Sequence, residues 1–120
     1  MTKYHTEHTW VRVEGDTAKV GITGHAQDTL GDIVFVEFPA IGAEFAQGAV
    51  AGVVESVKAA ADVHMPVSAE IVALNEDLRV DPSLANNDPE DAGWFYQVKL
   101  KDPTELDTLM DASAYQNFAG

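Results

Sequence analysis

The chain has 120 residues, with 20 acidic side chains against seven basic ones, a net charge of −13 and no cysteine. That length suits one domain over residues 1–120 rather than two, since domains cluster at about 100–150 residues. The charge excludes a nucleic-acid backbone or an anionic membrane as partner, because no basic patch exists to release counterions. The missing cysteines exclude disulfides, thiol nucleophiles and thiolate metal sites.

The acidity has two readings, solubility and steering toward partners with basic docking surfaces. No segment is apolar for long enough to span a bilayer. The start, Met1-Thr2-Lys3-Tyr4-His5, lacks the apolar run of a signal peptide and the Arg-rich pattern of a transit peptide. A bacterial cytoplasmic protein is the simplest expectation, and a mature mitochondrial form with a new Met1 would look the same.

Trp10-Val11-Arg12-Val13 and Ala18-Lys19-Val20-Gly21-Ile22 alternate in polarity around a Glu14-Gly15-Asp16 turn, which predicts a β-hairpin. Thr23 is placed to cap a short helix over His25–Leu30 that Gly31 ends. Asp32 to Phe38 is a β-rich run stopped by Pro39. Gly42 and Gly48 bracket a loop. Val50–Ser56 is a further strand, and Val63–Leu74 reads as two short strands broken near Pro66-Val67-Ser68. Asn75 is placed to cap a helix through Glu76-Asp77-Leu78. Asp81–Gly93, dense in Pro, Asn, Asp and Gly, reads as a long surface loop. Trp94–Leu100 is a last strand. Asp102-Pro103-Thr104-Glu105 is an N-terminal helix signature, with Leu106, Leu109 and Met110 at helical spacing behind it. A second helical segment is expected from Ala112 to Phe118. Short strands with small helices at the margins imply a mostly β fold, a sandwich or partly open barrel.

The segment of most interest is Glu55-Ser56-Val57-Lys58-Ala59-Ala60-Ala61-Asp62, which joins two predicted strands. Lys58 is the sole lysine or arginine between Lys19 and Arg79. Alanines follow it, so its neighbours do not screen it. Position alone favours a solvated surface charge over a functional lysine. Elsewhere the residues offer little chemistry. His5, His8, His25 and His64 are scattered, whereas zinc needs three or four converging ligands. The carboxylate pairs Glu55/Asp62 and Glu7/Glu14 read as recognition or solubility groups rather than an acid and base. No serine sits in a nucleophile elbow. Gly21-Ile22-Thr23-Gly24 is too short for a phosphate loop. Trp10, Trp94 and Phe35 read as core or edge packing.

Glu55-Ser56-Val57-Lys58-Ala59 resembles the lipoyl-attachment motif of glycine-cleavage H proteins. The resemblance extends to Trp10–Gly15, Val20–Thr23, Ala26–Asp28 and Leu30–Glu37, then to Pro66–Ser68, Gly93-Trp94 and the tail from Asp102 to Tyr115. It implies a barrel-sandwich hybrid fold, shared with lipoyl and biotinyl domains, with small peripheral helices and a C-terminal helical segment. It implies a carrier rather than an enzyme, with (R)-lipoate in amide linkage on Lys58. Glu55, Val57, Ala59 and Asp62 are then the recognition context of that lysine. The implied partners are a glycine decarboxylase, a tetrahydrofolate-dependent aminomethyltransferase and a dihydrolipoyl dehydrogenase. A lipoate ligase or lipoyl/octanoyl transferase would attach the group. The chain is expected to act as a monomer.

Biotin is the competing group, but biotinyl domains usually flank their lysine with methionines, and Val57 and Ala59 stand here. The lipoyl domains of 2-oxoacid dehydrogenases usually show Asp-Lys-Ala, which Val57-Lys58-Ala59 departs from. A relay that donates lipoyl groups to other domains, or an unmodified scaffold, is the alternative function. The sequence departs from the family pattern at three places. Ala69, eleven residues after Lys58, stands where glycine is usual and is expected to strain a turn if φ is positive. Thr9 replaces the glutamate of His-Glu-Trp and removes a charge that could meet an ammonium. His64 stands where a neutral or aromatic residue is expected.

Overall fold

The computed structural model describes residues 2–119. The N-terminal hairpin is Thr9–Glu14 (β2) and Thr17–Ile22 (β3), in register from Thr9↔Ile22 to Glu14↔Thr17. Thr2–Tyr4 (β1) pairs outside β2. The segment Ile33–Glu37 forms β4, Glu44–Phe45 β5, Val50–Ser56 β6 and Ala60–His64 β7. Ala69–Leu74 is β8 and Tyr96–Leu100 is β9. Two antiparallel sheets result, one ordered β1-β2-β3-β9-β8-β5 and the other β4-β6-β7. The mostly β architecture expected from the alternation is therefore observed.

The sheets share a core. Val11, Val20, Ile71 and Val98 of the larger sheet pack in one cluster with Ile33, Val36, Val54 and Val63 of the smaller. Each fully buried aliphatic side chain of this kind contributes about 1.5–3 kcal/mol. A second cluster lies at the N-terminal edge, where Tyr4, Trp10 and Tyr115 pack with Trp94 and Met110. Trp10 lies over its cross-strand partner Gly21, where a Cβ would come within 2.8 Å of the indole ring. Its Nε1 donates to the Ile22 carbonyl at 2.9 Å and to the Pro89 carbonyl at 3.0 Å.

The helices are short. Gly24–Leu30 is α1, capped by Thr23, whose hydroxyl accepts from Ala26 N at 3.3 Å. Asp77–Val80 is α2, with Asn75 accepting from Asp77 N at 3.2 Å. The span 81–93 is not one loop, because Leu84–Asn87 forms α3. Ala85 is buried there, and Asn86 donates to Gly31 O at 2.7 Å and accepts from Ile33 N at 2.8 Å. Turn-forming residues dominate the segment's composition, and tertiary contacts with the start of β4 override that signal. Pro103–Thr108 is a 3₁₀ helix rather than the longer helix that Leu106, Leu109 and Met110 implied. Met110 instead exchanges two backbone hydrogen bonds with Tyr4, at 2.8 and 2.9 Å, which ties the tail to β1. Ala112–Ala119 is α4, as the tail predicted. Among the described residues no helix is long and apolar enough to cross a membrane.

Candidate functional site

Strands β6 and β7 form a hairpin closed by Val57, Lys58 and Ala59. The loop is organised by Ser56. Its backbone N donates to Ala59 O at 2.8 Å, and its hydroxyl donates to the same carbonyl at 3.1 Å. That hydroxyl also accepts from Lys58 N at 3.2 Å and Ala59 N at 3.1 Å. A serine side chain thus satisfies the loop's backbone donors where no strand partner exists. Val57 N donates to Asp32 O at 3.0 Å, which anchors the loop to the start of β4.

Lys58 is exposed, and among the described residues no carboxylate lies within ion-pair distance of its ammonium. Its aliphatic stem lies across Gly31, where a Cβ would meet Lys58 Cε at 3.2 Å. Gly31 has φ +76°, so it both ends α1 and leaves room for the lysine. Val57 and Ala59 are exposed on either side of Lys58. Glu55 pairs with Ala60, and Asp62 with Val53, so the two carboxylates share the outer face of the smaller sheet as diagonal neighbours. Sequence reasoning put Lys58 between two strands with Glu55 and Asp62 on either side, and the structure has all three on one β-hairpin. It foresaw that Gly31 ends α1 but not that Gly31 leaves room for the lysine, and it missed Ser56, although a serine two residues before an exposed lysine is a recognisable turn former.

A cleft of about 360 Å³ opens between α1, the start of β2 and β7. Leu30, next to Gly31, and Ala61 and Asp62 of the hairpin line it together with Glu7, His8, Thr9, His25 and His64. Thr9 is 1% exposed, and its hydroxyl has no hydrogen-bond partner among the described residues. His64 Nδ1 lies 3.0 Å from Gly48 O, and its Nε2 lies 3.8 Å from Glu7. These contacts accommodate a histidine at a half-buried position where a neutral or aromatic residue was expected.

His8 adopts φ +65° and stacks at 4.5 Å on His25. Its Nδ1 lies 2.6 Å from the Tyr115 hydroxyl, which lies 2.7 Å from Thr23 Oγ1. Burial, reinforced by His25, holds the His8 imidazole below its ordinary range, against the opposing pull of Glu7. Burial, with His64 in support, does the same for His5, again against Glu7. Burial and the hydrogen bond to Glu90 push the Tyr4 phenol up to about 12.

Other expectations change. Ala69 opens β8, is fully buried and pairs with Leu100 and Phe45. It lies outside the left-handed region, which among the described non-glycine residues holds His8 alone, so the expected turn strain is absent. Glu7 and Glu14 do not form a pair. Glu14 takes Arg12 at 3.0 Å and Lys19 at 3.5 Å, and Arg12 first, then Lys19, holds its carboxyl below the usual range. Trp10 is a packing residue, but Phe35 is 51% exposed.

The comparisons agree with this geometry. The family model "Glycine cleavage H-protein" matches residues 2–120. A glycine cleavage system H protein of Beijerinckia indica is 53% identical over 118 residues, covering 98% of this chain and 95% of that protein. The Aeromonas salmonicida protein of the same name is 54% identical over 116 residues, covering 96% and 90%. The crystal structure of a glycine cleavage system H protein from Mycobacterium marinum superposes with a TM-score of 0.87 at 36% identity, over 97% of this chain and 94% of that one. The chain belongs to the glycine cleavage H-protein family, whose members are lipoyl carriers rather than enzymes.

Proposed function

We propose that Lys58 is the lipoylated residue and that this chain works as one carrier domain between a glycine decarboxylase, an aminomethyltransferase and a dihydrolipoyl dehydrogenase. The observation that carries the reading is a lone lysine on a three-residue hairpin loop, unpaired among the described residues. Such an amine is free to be acylated by a lipoate ligase or a lipoyl/octanoyl transferase. Deprotonated Nζ attacks the carbonyl carbon of an activated acyl group such as an acyl adenylate. The C–N bond forms, the bond from carbon to the phosphate oxygen breaks, AMP leaves and the extra nitrogen proton passes to solvent. When bound, lipoate would supply a dithiolane able to take up an aminomethyl group with opening of its S–S bond, and the dithiol would remain once that group had passed to tetrahydrofolate.

The chain's own residues give the loaded arm a resting place. The Lys58 stem lies across Gly31, whose neighbour Leu30 lines the cleft. Glu7 and Asp62 line that cleft and would pair with an ammonium. These carboxylates supply the charge that Thr9 itself does not. The test is direct. The apo-protein is incubated with lipoate ligase, ATP and lipoate, and the adduct is mapped by peptide mass. The expected result is lipoate on Lys58 alone. Comparable yield on Lys3, Lys19, Lys99 or Lys101 would overturn the assignment.

A further inference from the structure

We infer that the outer face of the smaller sheet, centred on Phe35, is the docking surface for the enzyme that acylates Lys58, and that this enzyme meets it with an apolar recess rimmed by basic residues. The inference rests on Lys58 being the attachment point.

Its origin is a β-bulge. Ile33 pairs with Ser56 and Phe35 with Glu55, so Val34 is an extra residue in β4. Unbroken alternation would turn one of Val34 and Phe35 toward the core. With the bulge both face out, 54% and 51% exposed, while Ile33 and Val36 on either side remain buried. Val57, 67% exposed, continues the apolar surface onto the attachment loop. Leaving a phenylalanine and two valines in water within a few residues of a modification site has no counterpart in the packing of the core.

Carboxylates border this surface on the strands, and Arg79 of α2 borders it on the opposite side, over Phe38. Glu55 stands directly across from Phe35, Glu37 lies two residues along β4, and Asp62 sits diagonally from Glu55 on β7. Ala60, opposite Glu55, is too small to shield Phe35. Strands β4, β6 and β7 contain no lysine or arginine. An exposed aromatic side chain with carboxylates along its hairpin side is an arrangement in which one anchor supplies affinity and the charges select the partner.

The acylating enzyme is favoured over the enzymes that use the loaded arm because of reach. Acylation must bring Nζ itself to a carbonyl carbon, so that enzyme's footprint includes whatever lies beside the lysine. An enzyme acting on the dithiolane meets it at the far end of a long flexible chain. Phe35, paired with a residue three positions before Lys58, falls inside the first footprint.

The experiment compares two stages. Steady-state lipoylation of the apo-protein by lipoate ligase is followed by mass for the parent, Phe35→Thr, Val57→Thr and the control Ile41→Thr. Ile41 is 63% exposed and lies beyond Pro39. Circular dichroism establishes that each variant is folded. Phe35→Thr and Val57→Thr are expected to raise the KM for apo-protein about tenfold, with kcat within about twofold and the control parental. Phe35→Thr driven to full lipoylation should serve glycine decarboxylase with parental kcat/KM. A parental lipoylation KM in both variants would overturn the inference. So would an equal loss in the control, or an equal loss at the decarboxylase stage. A parent that takes no lipoate at Lys58 would overturn the carrier assignment itself, and this inference with it.

Discussion

Lys58 stands on three loop residues whose backbone donors are met by one serine hydroxyl and by Asp32 O, all exposed or nearly so. In the second core cluster, Trp10 is wholly buried over Gly21, and Tyr4 stacks on Tyr115 at 4.7 Å. There β1, β2, α1 and α4 are held together by contacts between residues far apart in the chain, such as Tyr4 with Tyr115 and His8 with Tyr115. The first region is local and tolerant. The second is long-range and tightly fitted. A carrier needs both, since its reactive group must be presented to several enzymes while the surface behind it keeps its shape. Substitutions should therefore separate function from stability between the two regions.

The sharpest separation is Lys58→Arg. Arginine keeps charge and bulk, but its guanidinium stays protonated and is a poor nucleophile. The hairpin makes no use of the ammonium, so stability should shift by no more than about 0.5 kcal/mol. Lipoylation should vanish, and with it support of glycine cleavage in a reconstituted assay. Parental activity from a well-folded variant would refute the carrier mechanism.

Gly21→Ala reverses the pattern. The new Cβ would sit 2.8 Å from the indole carbons of a fully buried ring, which has no free space to retreat into. The expected cost is about 1–3 kcal/mol, the usual range for overpacking. Denaturant unfolding would measure it, while lipoylation of the folded fraction should proceed at the parental rate. A neutral Gly21→Ala would show that the second region is looser than its contacts indicate.

The two regions also differ in how far the sequence revealed them. The hairpin was legible because its signals are local: alternation in β6, an isolated lysine and small residues after it. Thr23 and Gly31 likewise marked α1 by capping chemistry within the segment itself. The stacked tyrosines were not legible, because Tyr4 and Tyr115 meet only once the chain has folded. Phe35 was misread for a related reason. A run of apolar residues announces a strand, but the one-residue slip between Ile33 and Phe35 that turns its side chain outward leaves no mark in composition.

Ala69 tests a position that the sequence and the structure describe differently. A strained turn there would make Ala69→Gly stabilising and speed lipoylation. Inside β8, buried and paired on both sides, the same change removes a packed methyl and adds backbone freedom to the unfolded chain. It should therefore destabilise by about 0.5–1 kcal/mol and leave the lipoylation rate of the folded protein unchanged. Faster modification of the variant would restore the turn argument.

The smallest effect expected is a pH dependence confined to the aromatic end of the cleft. His8 Nδ1, the Tyr115 hydroxyl and Thr23 Oγ1 form one hydrogen-bonded chain, and a neutral His8 can end it as donor or as acceptor according to its tautomer. Protonation leaves only the direction in which His8 donates to Tyr115 and Tyr115 to Thr23, and it puts a charge in a half-buried site. Burial first, and His25 second, depress the His8 pKa below the 6.5 of a free imidazole. The unfolded chain therefore takes up the proton more readily than the folded one. The stabilisation is fully present above pH 6.5 and is lost as pH falls from there through the folded value. His5 is depressed in the same direction, so removing His8 should weaken the dependence without abolishing it. The variant is His8→Asn, because φ +65° suits asparagine better than most side chains and the substitution adds little backbone strain. Melting temperatures followed on either side of pH 6.5 should fall less steeply with acid in His8→Asn than in the parent. The same experiment on Ala69→Gly should reproduce the parental slope, since Ala69 touches none of these groups. An unchanged slope in His8→Asn would mean that the proton is taken up elsewhere and that the Tyr115 contact tolerates either charge state.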